Sequence, residues 1–96
     1  MPIGQASLVT VPAEPGSVVV RVIAPGAARV ELMGDLTGWE PRPLEQRGRG
    51  WELRLTTNPG AHHVVVRLDG GSWIVPANLT RLSDDLGGSV GLIVIP

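Results

Sequence analysis

Apolar and polar residues alternate in short runs along the chain. In Ser17 to Ala24, Val18, Val20 and Val22 fall on one face and Val19, Arg21 and Ile23 on the other. From Arg29 to Met33, Val30 and Leu32 point one way, and Arg29, Glu31 and Met33 the other. Trp51, Leu53 and Leu55 oppose Glu52 and Arg54, and His62, Val64, Val66 and Leu68 oppose His63, Val65 and Arg67. A period of two is the signature of half-buried strands. No window repeats apolar residues at helical spacing over three turns without Gly or Pro, so no long helix is expected.

Turn chemistry separates these runs. Pro25-Gly26, Arg47-Gly48-Arg49-Gly50 and Asn58-Pro59-Gly60 each reverse the chain, and Asp69-Gly70-Gly71-Ser72 reads as a hairpin connection. Trp73 to Val75 continues that hairpin until Pro76. Leu44 to Gln46 reads as a short strand and Val90 to Ile95 as the last one, while residues 34–43 and 77–88 read as loops. Residues 1–16 form a proline-rich lead-in whose run from Ala6 to Val11 is a candidate edge strand, and residues 17–96 form the body. About seven or eight short strands at this spacing predict an all-β fold, an immunoglobulin-like antiparallel β-sandwich. Its inward set is expected to end on Val90 or its neighbours.

Composition narrows the function. Ninety-six residues suit one domain. Eight basic residues, all Arg, and nine acidic ones give a net charge of −1, and this balance argues against nucleic acid as a partner, which needs a clustered excess of positive charge. The chain has no Cys, which removes disulfides and thiolate sites. No apolar run approaches the roughly 20 residues of a membrane span, so no membrane contact is expected of this domain. Met1 to Gln5 lacks a basic or apolar leader pattern, so a signal peptide is not expected.

Candidate chemistry is sparse. His62 and His63 are adjacent on a strand and point to opposite faces, so one metal ion cannot easily take both, and His62 is expected to hydrogen-bond internally. Asp84-Asp85 lies in a Gly-flanked loop, where turn capping suits it better than the paired carboxylates of a glycosidase cleft. No Ser has a nucleophile-elbow context and no Gly-rich segment matches a phosphate loop. No catalytic residue, metal or cofactor is therefore expected.

Tryptophan carries the sharpest signal, because the chain has three Trp and neither Phe nor Tyr. Trp51 shares a face with Leu53 and Leu55 and is assigned to the core. Trp39 ends a loop and Trp73 opens a strand. A flat indole covers the C–H face of a pyranose while its N–H stays wet, so two such rings suit a sugar chain; packing at the core or an edge is the alternative. Arg67, two residues beyond Val65 on the same face, either offers donors to sugar hydroxyls or pairs with an acid on a neighbouring strand.

The ordered series Ala24-Pro25-Gly26-Ala27, Val30, Leu32, Gly34-Asp35-Leu36-Thr37-Gly38-Trp39, Pro43-Leu44, Gly50-Trp51-Glu52, Pro59-Gly60-Ala61-His62 and Asp69-Gly70 with Trp73 resembles the isoamylase-type early-set domains. These include carbohydrate-binding module family 48 and the glycogen-binding domain of AMP-activated kinase β subunits. Asp84-Asp85-Leu86-Gly87-Gly88 is similar to bacterial members, and the resemblance runs from about Ser17 to Ile95.

The resemblance implies a non-catalytic module that binds α-1,4-glucans such as glycogen or starch, or that packs beside a neighbouring domain of a longer parent protein. It implies sugar contacts at Trp39, Trp73 and Leu86, with Arg67 as a further candidate. The family's lysine falls on Val65 and its asparagine on or near Gly91, so weak binding is expected. The family's phenylalanine before Trp39 is Leu36, and a core tyrosine is Val64. A structural or protein-interaction module of the same fold that has lost the sugar is the alternative.

Overall fold

The computed structural model describes residues 6–83 and 88–96. Each alternating run becomes a strand. In chain order these are β1 (Ser7–Pro12), β2 (Ser17–Ile23), β3 (Val30–Gly34), β4 (Arg42–Pro43), β5 (Glu45–Arg47), β6 (Gly50–Thr56), β7 (Gly60–Leu68), β8 (Trp73–Ile74), β9 (Thr80–Ser83) and β10 (Ser89–Ile95). The helical content among the described residues is one 3₁₀ turn, Asp35–Thr37.

Two antiparallel sheets face each other as an immunoglobulin-like sandwich. One has the order β1-β2-β6-β5 and the other β4-β3-β7-β10-β9, with β8 also paired to β7. The alternation sets the registers. Val20 pairs with Leu53 and Val22 with Trp51 in the first sheet, and Leu32 pairs with Val66 in the second. Val18, Val20, Val22, Val30, Leu32, Val64 and Val66 are closed to solvent or nearly so, and Trp51 is buried among them. Fully burying a residue of this size contributes about 1.5–3 kcal/mol. The proline-rich lead-in also reaches the core: β1 pairs along β2, and Leu8 and Ala6 are buried.

Three expectations change and a fourth is refined. Ten strands form among the described residues instead of seven or eight. Residues 80–83, read as loop, form β9; all four are exposed, so no apolar alternation marks them, and backbone pairing to β10 holds them. Within residues 34–43, also read as loop, Arg42 and Pro43 pair with Leu32 and Glu31. In β10, Gly91, Ile93 and Ile95 face inward and Val90 faces outward, because Gly91 pairs with the inward Val64.

Gly34 shows how closely β3 and β7 approach. A Cβ at this position would overlap the His63 carbonyl oxygen, so only glycine lets the strand end against β7 here.

Candidate functional site

The outer face of the second sheet is built by the same parity that fills the core. Leu32, Val66 and Ile74 point inward, so Glu31, Arg67 and Trp73 form a cross-strand row outside. β3 runs along one edge of β7, and β10 and then β8 occupy the other edge in succession.

Within this row Arg67 has two partners. Its Nε donates to Glu31 Oε1 at 3.0 Å and its Nη2 to Glu31 Oε2 at 2.9 Å, a bidentate pair. Its Cζ lies 4.5 Å from the centroid of the half-buried Trp73 ring. The Arg67 hydrogen bonds, aided by the charges of Arg67 and Arg29, hold the Glu31 carboxyl below the usual carboxylate range despite its partial desolvation. The same bond raises the pKa of Arg67.

Trp73 is placed by the turn before it. Asp69 and Gly70 adopt φ 53 and 74, successive left-handed residues that fit a tight hairpin, and Gly71 N–H donates to Leu68 O at 2.9 Å. Asp69 Oδ1 also accepts from Ala28 N–H at 2.7 Å and Arg29 N–H at 2.8 Å, tying the β2–β3 connection to this turn.

Trp39 has a different support. It follows the 3₁₀ turn, takes φ 61 and leaves 47% of its surface exposed. Its N–H donates to Gly34 O at 2.8 Å. Thr37 Oγ1 bonds both backbone groups of Gly34, at 3.2 and 3.0 Å. Asp35 fastens the turn to β7: Oδ2 accepts from His63 N–H at 3.3 Å, and Oδ1 lies 3.2 Å from His62 Nδ1. His62 Nε2 is 2.7 Å from Asn58 O, so this ring makes the internal contacts expected of it.

The tertiary structure thus brings Arg67 onto Trp73. The backbone anchor of Trp39, at the Gly34–Val64 pair, lies three residues along β7 from the Arg67–Trp73 pair, roughly 10 Å at strand rise. Leu86, Asp84 and Asp85 lie outside the described residues. Val65 is on the outer face but buried, 5% exposed, and offers no polar group. Gly91, expected near a polar sugar contact, faces the interior; its outward neighbours are the apolar Val90 and Leu92. Glu31, Asp35 and Asp69 support the candidate residues and were not singled out from sequence, since each partner lies on a distant segment.

Among the described residues, no three His, Cys, Asp or Glu side chains gather as a metal site. A groove of about 410 Å³ lies at one end of the sandwich, where Pro12, Pro15, Thr57, Pro59, Val94 and Pro96 meet. It includes neither Trp39 nor Trp73, and Glu14 is its one ionisable side chain. It therefore has few polar groups with which to orient a sugar.

No family model matches this chain. Over 55 aligned positions, covering 51% of its length, it is 44% identical to the 1,4-alpha-glucan branching enzyme GlgB 2 of Xanthomonas campestris pv. campestris, in strain 8004 and in strain ATCC 33913 alike. The matched stretch spans 8% of that enzyme's length, so the likeness concerns a small part of a much larger protein.

Proposed function

We propose that this chain is a non-catalytic α-glucan-binding module of the early-set, family 48 type, weak in affinity, with Trp39 and Trp73 as its sugar-stacking residues. The observation that carries the reading is Trp39: a large apolar side chain stands 47% exposed on a left-handed backbone residue. That conformation costs an ordinary residue about 1–2 kcal/mol, and nearly half of the residue's surface stays open to a ligand. Strain of this kind collects at functional positions. The partial likeness to a glucan-branching enzyme supplies the ligand class, and a neighbouring domain of a longer protein is a further partner. Leu86 completes the proposed contacts.

A second reading, a structural or interaction module without sugar, is favoured by Val65 and Gly91. The first is a buried apolar residue and the second points inward, so two polar contacts are missing. Retention on glycogen or amylose, with β-cyclodextrin as competitor, decides between the two. The glucan reading expects weak, competable retention that Trp39→Ala or Trp73→Ala abolishes. Absence of retention, with no maltoheptaose-dependent shifts at millimolar concentration, selects the second. The purified domain should release no reducing sugar from starch; release abolished by changing Asp84 and Asp85 would overturn the non-catalytic reading.

A further inference from the structure

We infer that Glu31 and Arg67 are positioning residues for Trp73: the bidentate pair fixes the guanidinium against one face of the indole, which leaves the opposite face for the ligand. The inference rests on the glucan reading for the identity of that ligand, but the orientation of the indole is tested without it.

Backbone pairing alone places this tryptophan loosely. β8 has two residues, and its pairing is to β7, through Val66–Ile74 and Arg67–Trp73. A two-residue strand after a glycine-rich turn sets where the Trp73 Cα lies but not which way the ring faces. The side-chain row settles the latter. Arg67 gives Nε and Nη2 to the two Glu31 oxygens, which fixes the plane of the fork, and the Arg67 Cζ sits 4.5 Å from the ring centroid. Shielding favours the pair: the Glu31 and Arg67 side chains keep 15% and 27% of their exposure, and the next cross-strand row holds Met33 and Val65. Arg29 Nε, 3.8 Å from Glu31 Oε1, holds the carboxylate from a second side.

This arrangement gives Arg67 a role distinct from that of a sugar donor. An arginine whose fork faces a carboxylate and whose face meets an indole is already engaged on both. Its contribution is to hold Trp73 in one orientation before binding, so that the ligand need not order it.

The two roles predict opposite signs for Glu31→Gln. Releasing a donor from its carboxylate leaves sugar binding unchanged or tighter. Releasing a buttress weakens it, by about three- to tenfold if one side chain must then be ordered on binding. The test is an NMR titration of the isotopically labelled chain with maltoheptaose, for wild type, Glu31→Gln and Arg67→Lys. The Trp73 indole N–H and Arg67 Nε–H resonances are followed, with amides of β2 and β6 as a check on folding. The positioning role expects both variants to move or broaden the Trp73 resonance, Glu31→Gln to move the Arg67 Nε–H resonance as well, and both to weaken binding by that factor, although Lys keeps the charge. Glu31→Gln binding as tightly as wild type, or an unmoved Trp73 resonance in both variants, overturns it. If wild-type protein shows no maltoheptaose shifts, the glucan reading fails on its own; the Trp73 resonance in the variants still decides the positioning role. Should Glu31→Gln fail to fold, the Trp73 indole resonance of Arg67→Lys decides the positioning role: a shift or broadening supports it, and an unmoved signal overturns it.

Discussion

Asn78 pairs with Leu8 as though it were a short piece of neighbouring strand. Its Oδ1 accepts from Leu8 N–H at 2.9 Å and its Nδ2 donates to Leu8 O at 2.8 Å, across 70 residues of sequence. Ala77 N–H adds a bond to Ala6 O at 2.7 Å. These contacts close half of the open edge of β1, and Pro12, which has no N–H, ends the other half. Asn78→Ala is therefore expected to cost about 1–2 kcal/mol, read by urea denaturation. Light scattering should also show more self-association, since Val9 and Val11 are half exposed on this edge strand. An unchanged denaturation midpoint would show that water replaces the amide at no cost.

Asp69 makes a second long-range link. Asp69→Ala removes the acceptor for Ala28 and Arg29 N–H and places alanine at φ 53. Destabilisation of about 1–3 kcal/mol is expected. Asp69→Asn keeps an acceptor and a residue that tolerates left-handed backbone, so its cost should stay below about 1 kcal/mol. Equal costs for the two variants would count against this account.

For Trp39, stability and binding should separate. Trp39→Asn relieves a left-handed tryptophan but gives up its buried half, so thermal stability is expected to change by less than about 2 kcal/mol. Glucan retention should fall by about 1–3 kcal/mol, the scale of aromatic stacking on flat ligands. Trp51→Ala is expected to behave oppositely in the fold, losing about 3–5 kcal/mol of stability from the core. Scanning calorimetry on the two variants reads the contrast.

Gly91 is not the place to restore a polar sugar contact. A Cβ there would lie 2.9 Å from Leu79 Cδ1 and 3.2 Å from Val75 Cγ1. Gly91→Asn is expected to destabilise the sandwich by about 1–3 kcal/mol through overpacking, with no gain in glucan affinity. Val90→Asn, on the outward neighbour, should fold normally. A well-folded Gly91→Asn with tighter binding would show that β10 can shift register.

The Glu31–Arg67 pair sets a pH dependence with a definite sign. Glu31 has a lowered pKa in the folded chain, chiefly through its hydrogen bonds from Arg67. Its stabilisation is complete above the unfolded glutamate pKa, about 4.3, and is lost as pH falls through the lower folded value. Between neutral and mildly alkaline pH the pair should contribute no slope, because Arg67 stays charged. A ¹³C titration of the Glu31 carboxyl, with the Trp73 indole followed in parallel, checks this. An indole signal that does not move as Glu31 titrates would uncouple the two.

The period-two runs determined the strands and their inward faces by themselves. Val18, Val20, Val22, Val30, Leu32, Val64 and Val66 could be placed in a core because a strand's two faces differ by a single residue step. The turns at Asn58-Pro59-Gly60 and Asp69-Gly70 were legible for the same local reason. β9 was not, because an edge strand exposed on both faces carries no apolar alternation and is held by its backbone. In β10, consecutive apolar residues left the parity open until pairing with Val64 turned Gly91 inward. At the candidate site, local pattern marked Trp39, Trp73 and Arg67. Only the adjacency of β3, β7 and β8 joined Arg67 to both Glu31 and Trp73, across 36 residues of sequence in the first case. The left-handed turn under Trp39 was equally invisible, since it depends on Asp35 reaching β7. Alternation is a property of each segment, whereas the partners of an exposed side chain are set by which strands lie next to one another.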